Sequence, residues 1–193
     1  SDPVESQAKW ITYIQDEAGR MKSLVDDLLF LAKSDAAKLP RHPTQVRLSE
    51  LVTGSLLPFE SVAFERGVSL ADQVTPGLCL LGDENQLRRL VVILLDNAVK
   101  YSGEGGSVTV RLDKVQDRLR LTVHNTGPAI APEHLDHLFE RFYRSDAARD
   151  RAQGGYGLGL AIAKSIVEAH NGKISVSSTS EAGTSFTVLL PKK

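Results

Sequence analysis

The chain has 193 residues, 41% of them hydrophobic, a formal net charge of −1 and one cysteine, Cys79. This suffices for one principal domain with an extension, while the near-neutral balance excludes a broad polyanion-binding surface and with it a nucleic-acid partner. A lone cysteine excludes an intrachain disulfide or a cysteine zinc cluster, as expected of a reducing, cytoplasmic setting.

The polar start SDPVESQ lacks the apolar core of a signal peptide, and no stretch approaches the roughly 20 apolar residues of a membrane span. A soluble piece, cut inside a helical pattern, is expected. From Trp10 to Ala32 apolar residues recur at helical spacing: Trp10, Ile14, Met21, Leu24, Leu28 and Leu31, widened by Ile11, Ala18, Val25 and Ala32. One long amphipathic helix follows. Glu17 interrupts its stripe, and Asp16, Arg20, Lys22 and Asp27 mark its outer face. The coiled-coil-like spacing favours a partner helix, with packing against the chain's own domain as the alternative.

Asp35–Thr44, with Pro40 and Pro43, breaks helix and reads as a linker, dividing residues 1–42 from 43–193. Val46–Leu48 then reads as a short strand, and Ser49 with Glu50 opens a helix to about Arg66. Val68–Val74 and Leu78–Leu81 read as strands, and Asp83 caps a helix through about Tyr101. Val108–Val115 and Leu119–Asn125 alternate as paired strands. Pro132–Phe142 reads as helix, Arg144–Tyr156 as a polar glycine-containing loop and Leu158–His170 as helix, with Lys173–Ser178 and Thr184–Leu190 as a final strand pair. The expected class is α+β, a two-layer sandwich with helices on one face of a mixed sheet.

On the helix after Asp83, Leu87, Leu90, Val91, Leu94 and Ala98 form an apolar arc. Beside it Ile93, Asn97, Lys100 and Tyr101 form a strip at i, i+4, i+7 and i+8. An amide oxygen suits Mg²⁺ held jointly with substrate phosphates, and lysine supplies a point charge to them. The plainer reading is that lysine complements the helix dipole while Asn and Tyr cap or pack. After the next strand pair, NTGPAI (Asn125–Ile130) makes a turn for which Gly127 supplies backbone freedom. GGYGLGL (Gly154–Leu160) opens a helix whose N–H groups can meet an anion. It lacks the Lys-Ser/Thr ending of a Walker A loop.

In this order, LLDNAVKYS, NTGPAI and GGYGLGL resemble the asparagine box, first glycine box and lid of the ATP-binding domain of sensor histidine kinases. These are Bergerat (GHKL) ATPases, also found in gyrase and heat-shock chaperones. Residues 5–35 resemble the second helix of the dimerisation bundle, and 45–191 the catalytic domain. The resemblance implies ATP and Mg²⁺ as ligands, with Asn97 as the metal ligand and Asn97, Lys100 and Arg144 of FERFYR as catalytic residues. It assigns Asn97, Lys100, Tyr101, Asn125, Gly127, Ile130, Gly155, Gly157, Leu158 and Gly159 to nucleotide binding. Asn125 stands where an aspartate commonly accepts from the adenine amine; Ile93 replaces a frequent asparagine, and Ala129 a usual glycine. Arg149 and Arg151 lie in the lid and read equally as solvated loop. EAGTSF resembles the closing glycine turn and reads as structural, with Phe186 and Val188 in the core and Thr184 reaching the lid only indirectly.

No H-E-x-x-x-P-like acceptor segment is present, and the acidic proton acceptor that follows it in the family is missing too, so no general base is assigned. His42, His124, His134 and His137 read as surface or packing residues, and His170 as a favourable helix ending beside Asn171 and Gly172. The expected function is ATP-dependent phosphorylation of a histidine outside this sequence, for two-component signalling through a response-regulator receiver domain. The longer protein is expected to be a homodimer anchored to a membrane by segments outside this sequence. The rivals are a nucleotide-sensing module without phosphotransfer and a chaperone- or gyrase-like ATPase.

Overall fold

The structure is a computed structural model that describes residues 3–36, 43–144 and 156–192. Along the described residues run α1 (Pro3–Ala36), β1 (Thr44–Arg47), α2 (Leu48–Glu65), β2 (Ser69–Val74), β3 (Cys79–Gly82) and α3 (Glu84–Tyr101). They are followed by β4 (Ser107–Val115), β5 (Arg118–Asn125), α4 (Pro132–Leu135), α5 (Gly159–Ala169), β6 (Lys173–Thr179) and β7 (Gly183–Pro191).

Alternation in β4, β5 and β7 sends Val108, Val110, Leu112, Leu119, Leu121, Val123, Phe186, Val188 and Leu190 to one buried face. The five-stranded sheet has the order β2-β4-β5-β7-β6. Its β2–β4 pair is parallel and the others antiparallel, so the sheet is mixed. Beside it, β1 and β3 form an antiparallel ribbon. Helix α3 lays Leu87, Leu90, Val91, Leu94, Leu95, Ala98 and Val99 into the core, which includes the whole expected arc. Helix α5 adds Ala161, Ile162, Ala163, Ile166 and Val167. Each buried leucine or isoleucine contributes about 1.5–3 kcal/mol, so the rotation of both helices about their axes is firmly set. The carboxylate of Asp83 accepts the Gln86 N–H at 3.0 Å, capping α3 as expected.

Two local expectations are corrected. Ser49 does not cap α2, which begins at Leu48. Its buried hydroxyl instead donates to the Thr75 carbonyl at 2.7 Å and accepts the Leu78 N–H at 2.9 Å, tying the helix to the β2–β3 connection. Pro132–Phe142 is helical only over Pro132–Leu135. Turn bonds continue from His137 N–H to His134 and from Glu140 N–H to His137, while Phe142 takes a positive φ of 63°. Regular helix is abandoned because Phe139 meets Phe186 edge-on, with ring centroids 6.3 Å apart, and Phe142 N–H reaches the Gly157 carbonyl at 3.0 Å.

His170 ends α5, as expected, with its ring turned into the protein. It is 5% exposed. Its Nδ1–H donates to the Ile166 carbonyl at 2.8 Å and its Nε2 accepts the Asp83 N–H at 3.0 Å, so the neutral ring clips the end of α5 to the start of α3. Only glycine fits beneath it, since a Cβ at Gly82 would lie 2.7 Å from the ring.

Most of the α1 stripe is exposed, including Trp10, Ile11, Ile14, Met21 and Val25, but Leu31 near its end is buried. Helix α1 thus meets its own domain at one end and leaves the rest of its stripe exposed. No described helix is long and apolar enough to cross a membrane. The expected linker falls largely on residues 37–42, outside the described residues, and the division at residue 42 stands as a proposal.

Burial outweighs the Ile166 carbonyl and the Asp83 carboxylate, holding the His170 pKa below its ordinary 6.5. The unfolded chain therefore takes up this proton first, and the clip's stabilisation is complete above 6.5 and lost as pH falls through the lowered native value. Urea unfolding between about pH 8 and about pH 5 should show a fall in stability that His170→Gln flattens. Parallel pH profiles for the two proteins would exclude the clip.

Candidate functional site

The burial of Leu94, Leu95 and Ala98 turns the next strip of α3 to the margin of the core. There Ile93, Asn97 and Lys100 are half-buried and Tyr101 is exposed. The Lys100 ammonium lies 4.9 Å from the centre of the Tyr101 ring, a cation–π contact that holds the lysine along the strip.

The NTGPAI turn presses against the end of this helix. Gly127 has φ 135°, and a Cβ there would stand 2.2 Å from the Tyr101 carbonyl oxygen, so both the torsion and the space demand glycine. Thr126 Oγ1 accepts the Ser107 N–H at 2.8 Å and fixes the turn to β4. Asn125 closes β5 at 3% exposure, and its amide nitrogen donates to the Thr126 carbonyl at 2.8 Å. That bond sets the rotamer so that the amide oxygen remains the group able to accept from a ligand.

The floor extends onto two strands that sequence reasoning left out of the site. Thr184 pairs with Asn125 across the β5–β7 ladder and with Ser178 across β6–β7. The Ser178 and Thr184 hydroxyls are 2.7 Å apart, and Ser178 also accepts the Ile130 N–H at 2.9 Å. Thr184, expected to act only indirectly near the lid, therefore sits beside Asn125, and Ile130 is anchored through its backbone. Strand register alone makes these neighbours, and no local signal in EAGTSF or in β6 reveals it.

Gly155, with Arg149 and Arg151, lies outside the described residues. Gly157 has φ 70°, and a Cβ there would be 2.7 Å from the Tyr143 carbonyl. The Leu158 side chain is buried at 1% exposure, so only its backbone is available to a ligand. No side chain among the described residues caps α5, leaving the first-turn N–H groups as donors. A Cβ at Gly159 would lie 3.4 Å from Ile93 Cγ2, so this helix start is seated on the α3 strip. Arg144 is half-buried and directly precedes the undescribed 145–155 segment.

The histidines serve as braces. His134 bonds the Tyr143 hydroxyl at 2.7 Å, and the His137 ring lies 5.4 Å from the Tyr143 ring. His124 bonds Ser185 at 3.0 Å on the sheet. Among the described residues no group of three or more His, Cys, Asp or Glu could hold a metal. A cation here would rely on amide oxygens and a ligand's own oxygens.

Residues 82–193 match the model of the histidine kinase-, DNA gyrase B- and HSP90-like ATPases. The chain is 41% identical over 177 residues to the sensor histidine kinase CusS of Escherichia coli K12, spanning 91% of this chain and 36% of CusS. In fold it resembles the catalytic domain of histidine kinase ThkA, with a TM-score of 0.69 and 27% identity over 78% of this chain and 95% of that one. It also resembles full-length ShkA in complex with AMPPNP, with a TM-score of 0.84 and 29% identity over 96% of this chain and 39% of that one. ThkA in complex with the response regulator protein TrrA shares the fold, at 24% identity and a TM-score of 0.76 over 100% of this chain and 53% of that one. The strip, floor and helix start therefore lie in a chain that belongs to the histidine kinase-, DNA gyrase B- and HSP90-like ATPase family and carries the ATP-binding domain of a sensor histidine kinase.

Proposed function

We propose that this chain binds ATP with Mg²⁺ and positions the γ-phosphoryl group for transfer to a histidine on another segment. The observation that carries this reading is the convergence of three donor sets. Asn97 and Lys100 come from α3, Asn125 with Thr184 from the sheet, and the uncapped N–H groups from the start of α5. The close approaches at Gly127 and Gly159 hold them together.

Asn125, with its amide nitrogen occupied by the Thr126 carbonyl, presents an acceptor to the exocyclic amine of adenine. Guanine would place a carbonyl against that acceptor and be disfavoured. Lys100 and the α5 N–H groups suit the phosphates, and Arg144 precedes the lid at the terminal phosphate. Asn97 offers one hard oxygen, which fits Mg²⁺ because that ion keeps several waters and takes its remaining ligands from phosphate. When bound, Mg²⁺ would neutralise charge on the phosphate oxygens. The residues of this chain would then contribute positioning and electrostatic complementarity, the main resources of phosphoryl transfer. By the same reading the longer protein works as a homodimer and passes the phosphoryl group to a receiver domain, as the ThkA–TrrA pairing suggests.

Loss of a hydrogen bond to a charged ligand costs about 1.5–3 kcal/mol, so Asn97→Ala should weaken calorimetric ATP–Mg²⁺ binding by about 10- to 100-fold with little change in melting temperature. Unaltered affinity would remove Asn97 from the site. In competition titrations ATP should displace a fluorescent ATP analogue far better than GTP, and Asn125→Leu should narrow the gap; equal displacement by both nucleotides in the parent protein would refute the adenine contact. Supplying an acceptor-histidine helix in trans should yield acid-labile phosphate that depends on Asn97. Tight ATP binding with no such product would point to a nucleotide-sensing module instead.

A further inference from the structure

Both helices that build the nucleotide site also meet α1, and they do so at one place. Leu31 is the one residue of the α1 stripe that is fully buried, at 2% exposure, where α1 packs against α5. Beside it a half-open pocket of about 180 Å³ is lined by Leu31, Phe139, Arg141, Ala161, Lys164 and Glu168, among others. Leu31 anchors this end of α1 through apolar contact, which is not directional. The directional contact comes from α3. The Arg89 guanidinium pairs with the Asp27 carboxylate of α1, with side-chain exposures of 32% and 25%, and lies 4.5 Å from the centre of the Phe30 ring.

Those contacts use two properties of arginine at once. The edge of the guanidinium meets the carboxylate while its plane covers the aromatic face, an arrangement that a lysine ammonium does not reproduce. Asp27 and Phe30 are spaced i, i+3 and share one face of α1. A single side chain from the domain thus engages two points along the helix, which constrains rotation as well as separation. Elsewhere Trp10, Ile11, Ile14 and Met21 are more than half exposed, so contact with the domain is confined to this end of α1.

We propose that Arg89 is the positioning residue that fixes the nucleotide-binding domain on α1. It lies eight positions before Asn97 on the same rigid helix. The Arg89 contact consequently sets the direction in which the phosphate strip faces relative to α1, while touching none of the nucleotide-binding groups. Under the phosphotransfer reading, on which this consequence rests, the orientation decides where the γ-phosphoryl group is presented. The docking itself does not depend on that reading.

The test uses the chain itself with Cys79→Ser and spin labels at Ser23→Cys on the exposed face of α1 and Lys114→Cys on β4, both solvent-facing. Pulsed dipolar spectroscopy should give one narrow distance distribution with Arg89 in place and a broadened or displaced one for Arg89→Glu. The exchange Arg89→Glu with Asp27→Arg should restore much of the narrowing, and Arg89→Lys should fall between the parent and Arg89→Glu. ATP–Mg²⁺ affinity should stay within about twofold throughout, which also reports that each variant is folded. If Arg89→Glu destabilises the fold, the comparison of Arg89→Lys with the parent decides. An unchanged distribution in a folded Arg89 variant, or a loss of nucleotide affinity that matches the change in distance, overturns the proposal. Absence of ATP binding in the parent would instead sink the functional reading and leave the distance result standing.

Discussion

The orientation of α3 governs everything built at its far end, because a helix with a filled apolar arc has no freedom to roll. Leu94, Leu95 and Ala98 are fully buried, and moving them toward water by even part of a turn would expose several large side chains together. Asn97 and Lys100 are carried to the margin by that constraint. Their placement follows from the apolar packing around them. The close backbone approach at Gly127 then brings the end of β5 to the same margin, and the methyl of Ile93 seats the first turn of α5 beside it.

Polar groups in this region divide sharply by use. Some are consumed internally: Ser49 in tying α2 to a neighbouring turn, Thr126 in holding the β4–β5 end, and His170 in joining two helices. Others are arranged so that one function is occupied while another stays available. In Asn125 the donor half of the amide is bonded to the backbone and the acceptor half remains. At the start of α5 the dipole and the uncapped N–H groups favour an anion. A site of this kind has its donors aligned before the ligand arrives, which lowers the reorganisation required on binding. Ile93 is half-buried between the α3 strip and the start of α5.

Legibility in the sequence followed the range of the interaction responsible. The α3 arc, the Asp83 cap and the alternation of β4, β5 and β7 are encoded by neighbours within a few residues, and each is found where the pattern indicates. Ser49 misled because a serine before a helix is a good local cap, whereas its hydroxyl found a better partner in residues far along the chain. The 136–142 segment has helical composition, but Phe139 and Phe142 are claimed by contacts with Phe186 and Gly157. His170 is legible as the end of α5, but its partners Asp83 and Gly82 lie far from it in the chain. Thr184 entered the site only through strand register, which a short alternating segment leaves open.

Taken alone, the order and spacing of residues determined the class of fold, the amphipathic character of α1, the strip on α3 and the glycine turns that permit close approach. These depend on periodicity and on backbone torsions intrinsic to each residue, which operate without distant partners. Tertiary structure alone decided that Thr184 stands beside Asn125, that His170 is neutral and buried, and that Arg89 reaches back to Asp27 and Phe30. Each of these joins residues far apart in the chain, and their meeting is specified by how sheet and helices pack, a property of the whole core that no local pattern contains.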